Sequence, residues 1–191
     1  STFAQPIVKD WDKTYGNDGT DRLHQMIALP NGELLLSGYS RSLAGNEKSE
    51  DRRNAPSNTT DYWVVRADAQ GNKLEDLTFF GGGIDYSYCI LAHSNGSYYL
   101  AGESNSNPDY DRTRLQRSAD DIWLLRLDAS FNLTWDKAYG GLGTNTPASN
   151  LGKGTNACYA MAEMPNGDLI LVGNSNCDAG NEKSENCKNV A

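Results

Sequence analysis

LPNGELLLSGYS, residues 29–40, is a pair of apolar runs split by Asn31-Gly32. An Asn-Gly step between apolar runs predicts a β-hairpin, because a type I′ turn needs positive φ at both central residues. HSNGSYYLAGES at 93–104 and MPNGDLILVGNS at 164–175 repeat the stretch, so Gly32, Gly96 and Gly167 mark three hairpins. Internal repetition decides an architecture before any single motif does.

Two further markers flank the hairpins in a fixed order. WDKTYG at 11–16 returns as WDKAYG at 135–140, and DYWVVRADAQGN at 61–72 returns as DIWLLRLDASFN at 121–132. In the second marker Trp63, Val65 and Ala67 alternate with Val64, Arg66 and Asp68, which predicts a strand with one dominant buried face. Each repeat therefore offers four strands: the Trp-Tyr-Gly strand, two hairpin arms, and the Asp-x-Trp strand. On this reading the chain divides into an N-terminal segment, 1–9, and repeats at about 10–72, 73–132 and 133–191. The opening STFAQPIV has the small residues that commonly precede a signal peptidase cut.

Four-stranded antiparallel units repeated along a chain predict an all-β protein of the β-propeller kind, with a β-sandwich as the alternative. About three blades are present, and they are expected to be part of a longer propeller. Trp11, Trp63, Trp123 and Trp135 are then packing residues and not a cofactor site. The middle repeat departs from the pattern, with Glu75 and Asp76 near the place of the tryptophan. The third repeat carries the insertion TNTPASNLGKG, and 191 residues hold three hairpins but two Asp-x-Trp strands.

The net charge of −8 and pI near 4.7 exclude nucleic acid and an anionic bilayer as main partners, because both need a basic footprint. No apolar run approaches the length of a membrane-spanning helix, so no transmembrane segment is expected. Cys177 and Cys187 bracket a polar loop in CDAGNEKSENC and are expected to pair as a disulfide, which fits an extracytoplasmic location. Cys89 and Cys158 have apolar and aromatic neighbours and read as buried thiols. With no CxxC pair and only His24 and His93, a zinc site is not expected.

That polar loop poses a question of its own, because AGNEKSE stands at 44–50 and again, unchanged, at 179–185. The middle repeat places PDYDRTRLQRSA there instead. Equivalent loops would emerge on one rim, where a rigid scaffold usually carries its binding residues. The candidate contacts are Asn46, Glu47, Lys48, Glu50, Asp109, Tyr110, Asp111, Asn181, Glu182, Lys183 and Glu185. The competing reading is a self-contained polar turn copied by duplication, with Lys48 and Lys183 paired to acidic neighbours.

No catalytic arrangement stands out. The histidines sit at unrelated positions, so a nucleophilic triad has no base. The acidic pairs Asp18/Asp21, Asp109/Asp111 and Asp120/Asp121 read as solvated loops, since sequence reports no separation between carboxylates. DYDRTRLQRSADD offers oxygens for calcium, but its three arginines favour a salt-bridged turn. Nucleotide-binding glycine patterns are absent, and no cofactor is expected.

The markers together, W-x-K-x-[YF]-G-G, N-G-x-[LY]-x-L-x-G-x-S and D-x-W-[VL]-[VL]-R-x-D-x-x-G-N, resemble the propeller-like repeats of secreted and surface proteins of Bacteroidota. Such proteins often carry a type IX secretion sorting domain. The resemblance runs from Asp10 to Ala191 and implies export, either secreted or associated with the outer membrane. The expected function is a non-enzymatic scaffold that binds a protein or glycan at the cell surface. The alternatives are a structural subunit of an outer-membrane or secretion-associated assembly and the non-catalytic part of a carbohydrate-active enzyme.

Overall fold

A computed structural model describes residues 9–51, 59–141, 154–180 and 183–185. Among these residues the chain is all β, with ten strands and no helix. The first sheet runs in the order β1 (Asp21–Ala28), β2 (Leu34–Ser40), β3 (Asp61–Ala67), β4 (Lys73–Phe79). The second repeats it with β5 (Asp85–Ala92), β6 (Tyr98–Ser104), β7 (Asp121–Leu127), β8 (Leu133–Tyr139). The third is the hairpin β9 (Asn156–Glu163), β10 (Leu169–Ser175). Every pairing within these sheets is antiparallel.

These sheets are offset from the division at 72 and 132. Residues 135–139 of WDKAYG close the second sheet as part of β8, paired to β7 through Trp123↔Ala138 and Ile122↔Tyr139. In the first sheet β4 fills that place, and Glu75 stands opposite Arg66 as Trp135 stands opposite Arg126. The Trp-Tyr-Gly strand therefore ends a sheet instead of beginning one. Its earlier copy at 11–16 lies against the β3–β4 turn, where Tyr15 Oη donates to the Gly71 carbonyl (2.7 Å) and Lys13 Nζ to Asn72 (3.0 Å).

The three Asn-Gly turns form, but only their glycines take positive φ: +88° at Gly32, +82° at Gly96 and +83° at Gly167. The Gly32 N–H donates to Leu29 O (2.9 Å) and the Leu29 N–H to Glu33 O (2.8 Å). That is a four-residue turn closed by a left-handed glycine, in place of the expected type I′. Pro30 sits at the second turn position, where its fixed φ suits a type I turn. The β7–β8 turn has the same bonds with Phe131 in the glycine's place, at φ +63°. Phe131 is held there by stacking on Tyr98 (4.6 Å) and by Arg66 of the first sheet over its ring (5.3 Å).

The sheets stack face to face in chain order. Leu35, Tyr62, Val64 and Phe79 of the first meet Leu100, Trp123, Leu125 and Leu127 of the second. The opposite face of the second, with Cys89, Tyr99, Ala101 and Leu124, meets Cys158, Met161 and Leu171 of the third. Tyr62 ties the first interface: its ring lies 4.9 Å from that of Trp123, and its hydroxyl donates to the Trp123 carbonyl (2.9 Å). Both faces of β3 and β7 are buried, apart from the half-buried Arg66, Ile122 and Arg126. One dominant buried face was expected of β3, and Val64, 1% exposed, corrects this because a neighbouring sheet covers its side.

Candidate binding face

The ends where β2 and β6 finish and β3 and β7 begin carry the long loops. Below each loop lies a repeated clamp. Asp21, opening β1, accepts hydrogen bonds from Ser40, Ser42 (2.6 Å) and the Asn17 N–H (2.9 Å). Asp85, opening β5, accepts from Ser104, Ser106 (2.9 Å) and the Gly81 N–H (2.8 Å). Asn156 takes the same place in β9 and donates to Ser118 Oγ (2.8 Å) and to the Cys177 sulfur (3.1 Å). Burial pushes the Asp85 carboxyl up, against the hydrogen bonds that pull it down.

The repeated loop proves to be a staple. Gly45 and Lys48 exchange backbone hydrogen bonds, as do Asp109 with Arg112 and Gly180 with Lys183. The first two are tight turns, and Asn46 (φ +43°) and Tyr110 (φ +54°) take left-handed geometry within them. The turn aims its cation inward. Lys48, 1% exposed, donates to Thr78 Oγ1 (2.7 Å) and lies 5.9 Å from the Trp63 ring centre. Arg112, also 1% exposed, sits equally far from the Trp123 ring and donates to Asp121 Oδ2 (2.9 Å). Lys183 bonds the Cys177 carbonyl.

The turn also grips the preceding strand end. The Asp111 N–H donates to Phe80 O and the Phe80 N–H to Asp111 Oδ2, both at 3.1 Å, and Tyr110 packs on Phe80 at 4.7 Å. One copy earlier, the Glu47 N–H donates to Gly16 O (3.3 Å). Beneath the turn, Trp63 Nε1 donates to Asp76 (2.9 Å) and Trp123 Nε1 to Asp136 (3.0 Å). Burial would raise the Asp76 carboxyl, but Lys73, Trp63 and Ser49 together hold it below its ordinary value.

The predicted contact residues therefore separate. Asn46, Asp109, Tyr110 and Glu185 are exposed; Glu47, Glu50, Asp111 and Lys183 are half-buried; Lys48 points into the sheets, as does Arg112, which was not among the expected contacts. Lys48 is thereby removed from any surface contact; its hydrogen bond goes to a strand hydroxyl, and Asp76, Asp61 and its loop neighbour Glu50 act on it through charge. Asn181, Glu182 and Cys187 lie outside the described residues, and with them the expected Cys177–Cys187 pairing. Cys89 and Cys158 are buried side by side, their sulfurs 3.9 Å apart across the second interface.

A different constellation occupies the same end of the sheets, on their edge strands. β1, β5 and β9 each carry a bulge that leaves one residue without a partner: His24, Tyr88 and Tyr159. Bulges re-aim a side chain, and these three form a row across the stack. His24 meets Tyr88 at 5.3 Å, and Tyr88 meets Tyr159 at 5.1 Å. Tyr39 and Tyr86, 4.4 Å apart, support the row from below. Tyr88 Oη donates to Glu103 (2.8 Å), and Asp120 acts on Glu103 through its charge.

Burial raises the carboxyls of Glu103 and Asp120 and the phenol of Tyr88, and lowers His24, which Arg22 pushes further down. Perturbed titratable groups beside exposed rings are what a binding site presents. His24 is exposed, and Tyr159 is 51% exposed. The sequence did carry a signal for the row: counted from Asp21, Asp85 and Asn156, an aromatic ring follows three residues later each time.

Among the described residues no group of three or more His, Cys, Asp or Glu side chains could hold a metal ion. No described helix is long and apolar enough to cross a membrane. No protein family model matches the chain, and no curated protein matches it.

Proposed function

We propose that this chain is a run of β-propeller blades serving as a non-enzymatic recognition scaffold, exported beyond the inner membrane and presenting its loop-bearing end to a protein or glycan at the cell surface. One observation carries this reading: successive sheets place equivalent bulge residues in one aromatic row along their edge strands, exposed at His24 and Tyr159 and half-buried at Tyr88. In a propeller the innermost strands of successive blades meet one another, and the contacts of β5 with β1 and with β9 support this reading. The staples make that end rigid, and rigidity in a binding surface lowers the entropic cost of capture.

A second reading, a structural subunit of an outer-membrane or secretion-associated assembly, is favoured by the outer face of β10. There Ile170 and Val172 are 44% and 58% exposed. Intact cells that make the protein provide the test. A membrane-impermeant biotin reagent should label it, and crosslinking in place should join it to a saccharide or protein. Absence of labelling overturns the surface location, and a fixed stoichiometric partner holding the β10 face replaces the first reading with the second.

A further inference from the structure

We infer that the row His24–Tyr88–Tyr159 is a subsite strip for a neutral oligosaccharide, with Glu103 accepting from its hydroxyls. The inference rests on the scaffold reading above and names its ligand class. Four features of the row select that class.

The row is periodic, because one rung comes from each sheet and the two ring spacings are nearly equal, 5.3 and 5.1 Å. A regular strip suits a polymer with a repeating unit. Its rungs are amphipathic as well: the exposed end rings, His24 and Tyr159, offer ring surface to the C–H side of a sugar, and every rung has a ring nitrogen or phenol oxygen at its rim.

Charge disfavours acidic polymers. Arg22 is the cation beside His24, but Glu103 and Asp120 stand by the row and the chain carries a net charge of −8. The edge geometry excludes a strand-pairing peptide. An extended peptide would have to pair with β1, β5 or β9, whose bulges interrupt the edge it would extend.

The test is electrophoresis of the purified protein through native gels containing mannan, xyloglucan or hydroxyethyl cellulose, with alginate and polygalacturonate as anionic counterparts. Retardation by at least one neutral polymer is expected. Tyr159→Ala, which alters a half-exposed ring, should weaken it about tenfold, and Tyr88→Phe, which removes only the hydroxyl facing Glu103, about threefold. Leu74→Ala, exposed on β4 at the opposite edge of the first sheet from β1, should leave it unchanged. Unchanged thermal unfolding of each variant shows that the fold is intact.

Neutral-gel binding that survives both tyrosine variants overturns the strip, and so does retardation by the anionic gels alone. No retardation in any gel, together with a protein captured on cells, overturns the glycan and leaves the scaffold. Failure of both captures overturns the scaffold itself. Release of reducing sugar from a gel polymer overturns the non-enzymatic reading and makes Glu103 and Asp120 the acids to examine.

Discussion

The loops over Trp63 and over Trp123 occupy the same place with different residues. In the first, GNEKS folds Lys48 over the indole and ends on a neutral hydroxyl, Thr78. In the second, DYDRT folds Arg112 over the indole and ends on a buried carboxylate, Asp121. Both side chains of that ion pair are fully buried. What the two loops share is therefore a turn, a cation on a tryptophan and a grip on the preceding strand, while the cation's anchor differs. The heptapeptide that recurs at 44 and 179 is one of two solutions to a packing problem.

The comparison can be broken most severely at Arg112. Removing one partner of a buried ion pair strands the other, so Arg112→Ala should cost about 3–5 kcal/mol in denaturant unfolding, with Arg112→Lys recovering only part. A cost like that of an exposed residue would mean the pair is not closed in solution. Lys48→Ala should cost less, about 1–3 kcal/mol, since Thr78 loses a neutral-group bond and the indole loses packing.

Lys48→Met sharpens the contrast. Burial holds the Lys48 ammonium below its ordinary value, so charging it opposes folding. Wild type should then gain stability on Lys48→Met as pH rises through the depressed folded value toward about 10.4, the unfolded one. At neutral pH the methionine variant should lie within about 1.5 kcal/mol of wild type. A larger loss at neutral pH would show that the charge itself holds the loop.

The clamps beneath the loops give the smallest effect. Asp85 is raised in the folded state, so its contribution to stability falls as pH climbs from about 3.9 to the folded value and is level above it. Asp85→Asn should flatten that segment of the stability curve, and Asn156→Asp should install one in the third sheet. Thermal melts between pH 3 and 8 would read both. An Asn156→Asp protein with an unaltered profile would show that the two clamps are not equivalent.

The hairpins were legible because a left-handed turn leaves so few residues eligible: Gly32, Gly96 and Gly167 announce themselves. The phase of the sheets was not, because a periodic sequence has no marked beginning. WDKTYG comes early in the chain and so reads as an opening strand, yet the register of β8 shows that this motif closes a sheet. Lys48 was misread for a related reason, since a polar loop residue looks solvated until a neighbouring strand supplies its partner. His24, Tyr88 and Tyr159 escaped notice because the mark they share in the string, a ring three residues after Asp21, Asp85 or Asn156, gains its meaning only from the bulge, which is a property of pairing.

The staple of the second sheet reaches backward, from its own loop to Phe80 at the strand end of the first, and that of the first sheet reaches back to Gly16. A chain emerging from its N-terminus thus fastens each new unit to the one before it, and the new unit in turn covers the open face of its predecessor. Growth of this kind is directional: units can be appended by gene duplication without revising those already present, and errors stay local to the last one added.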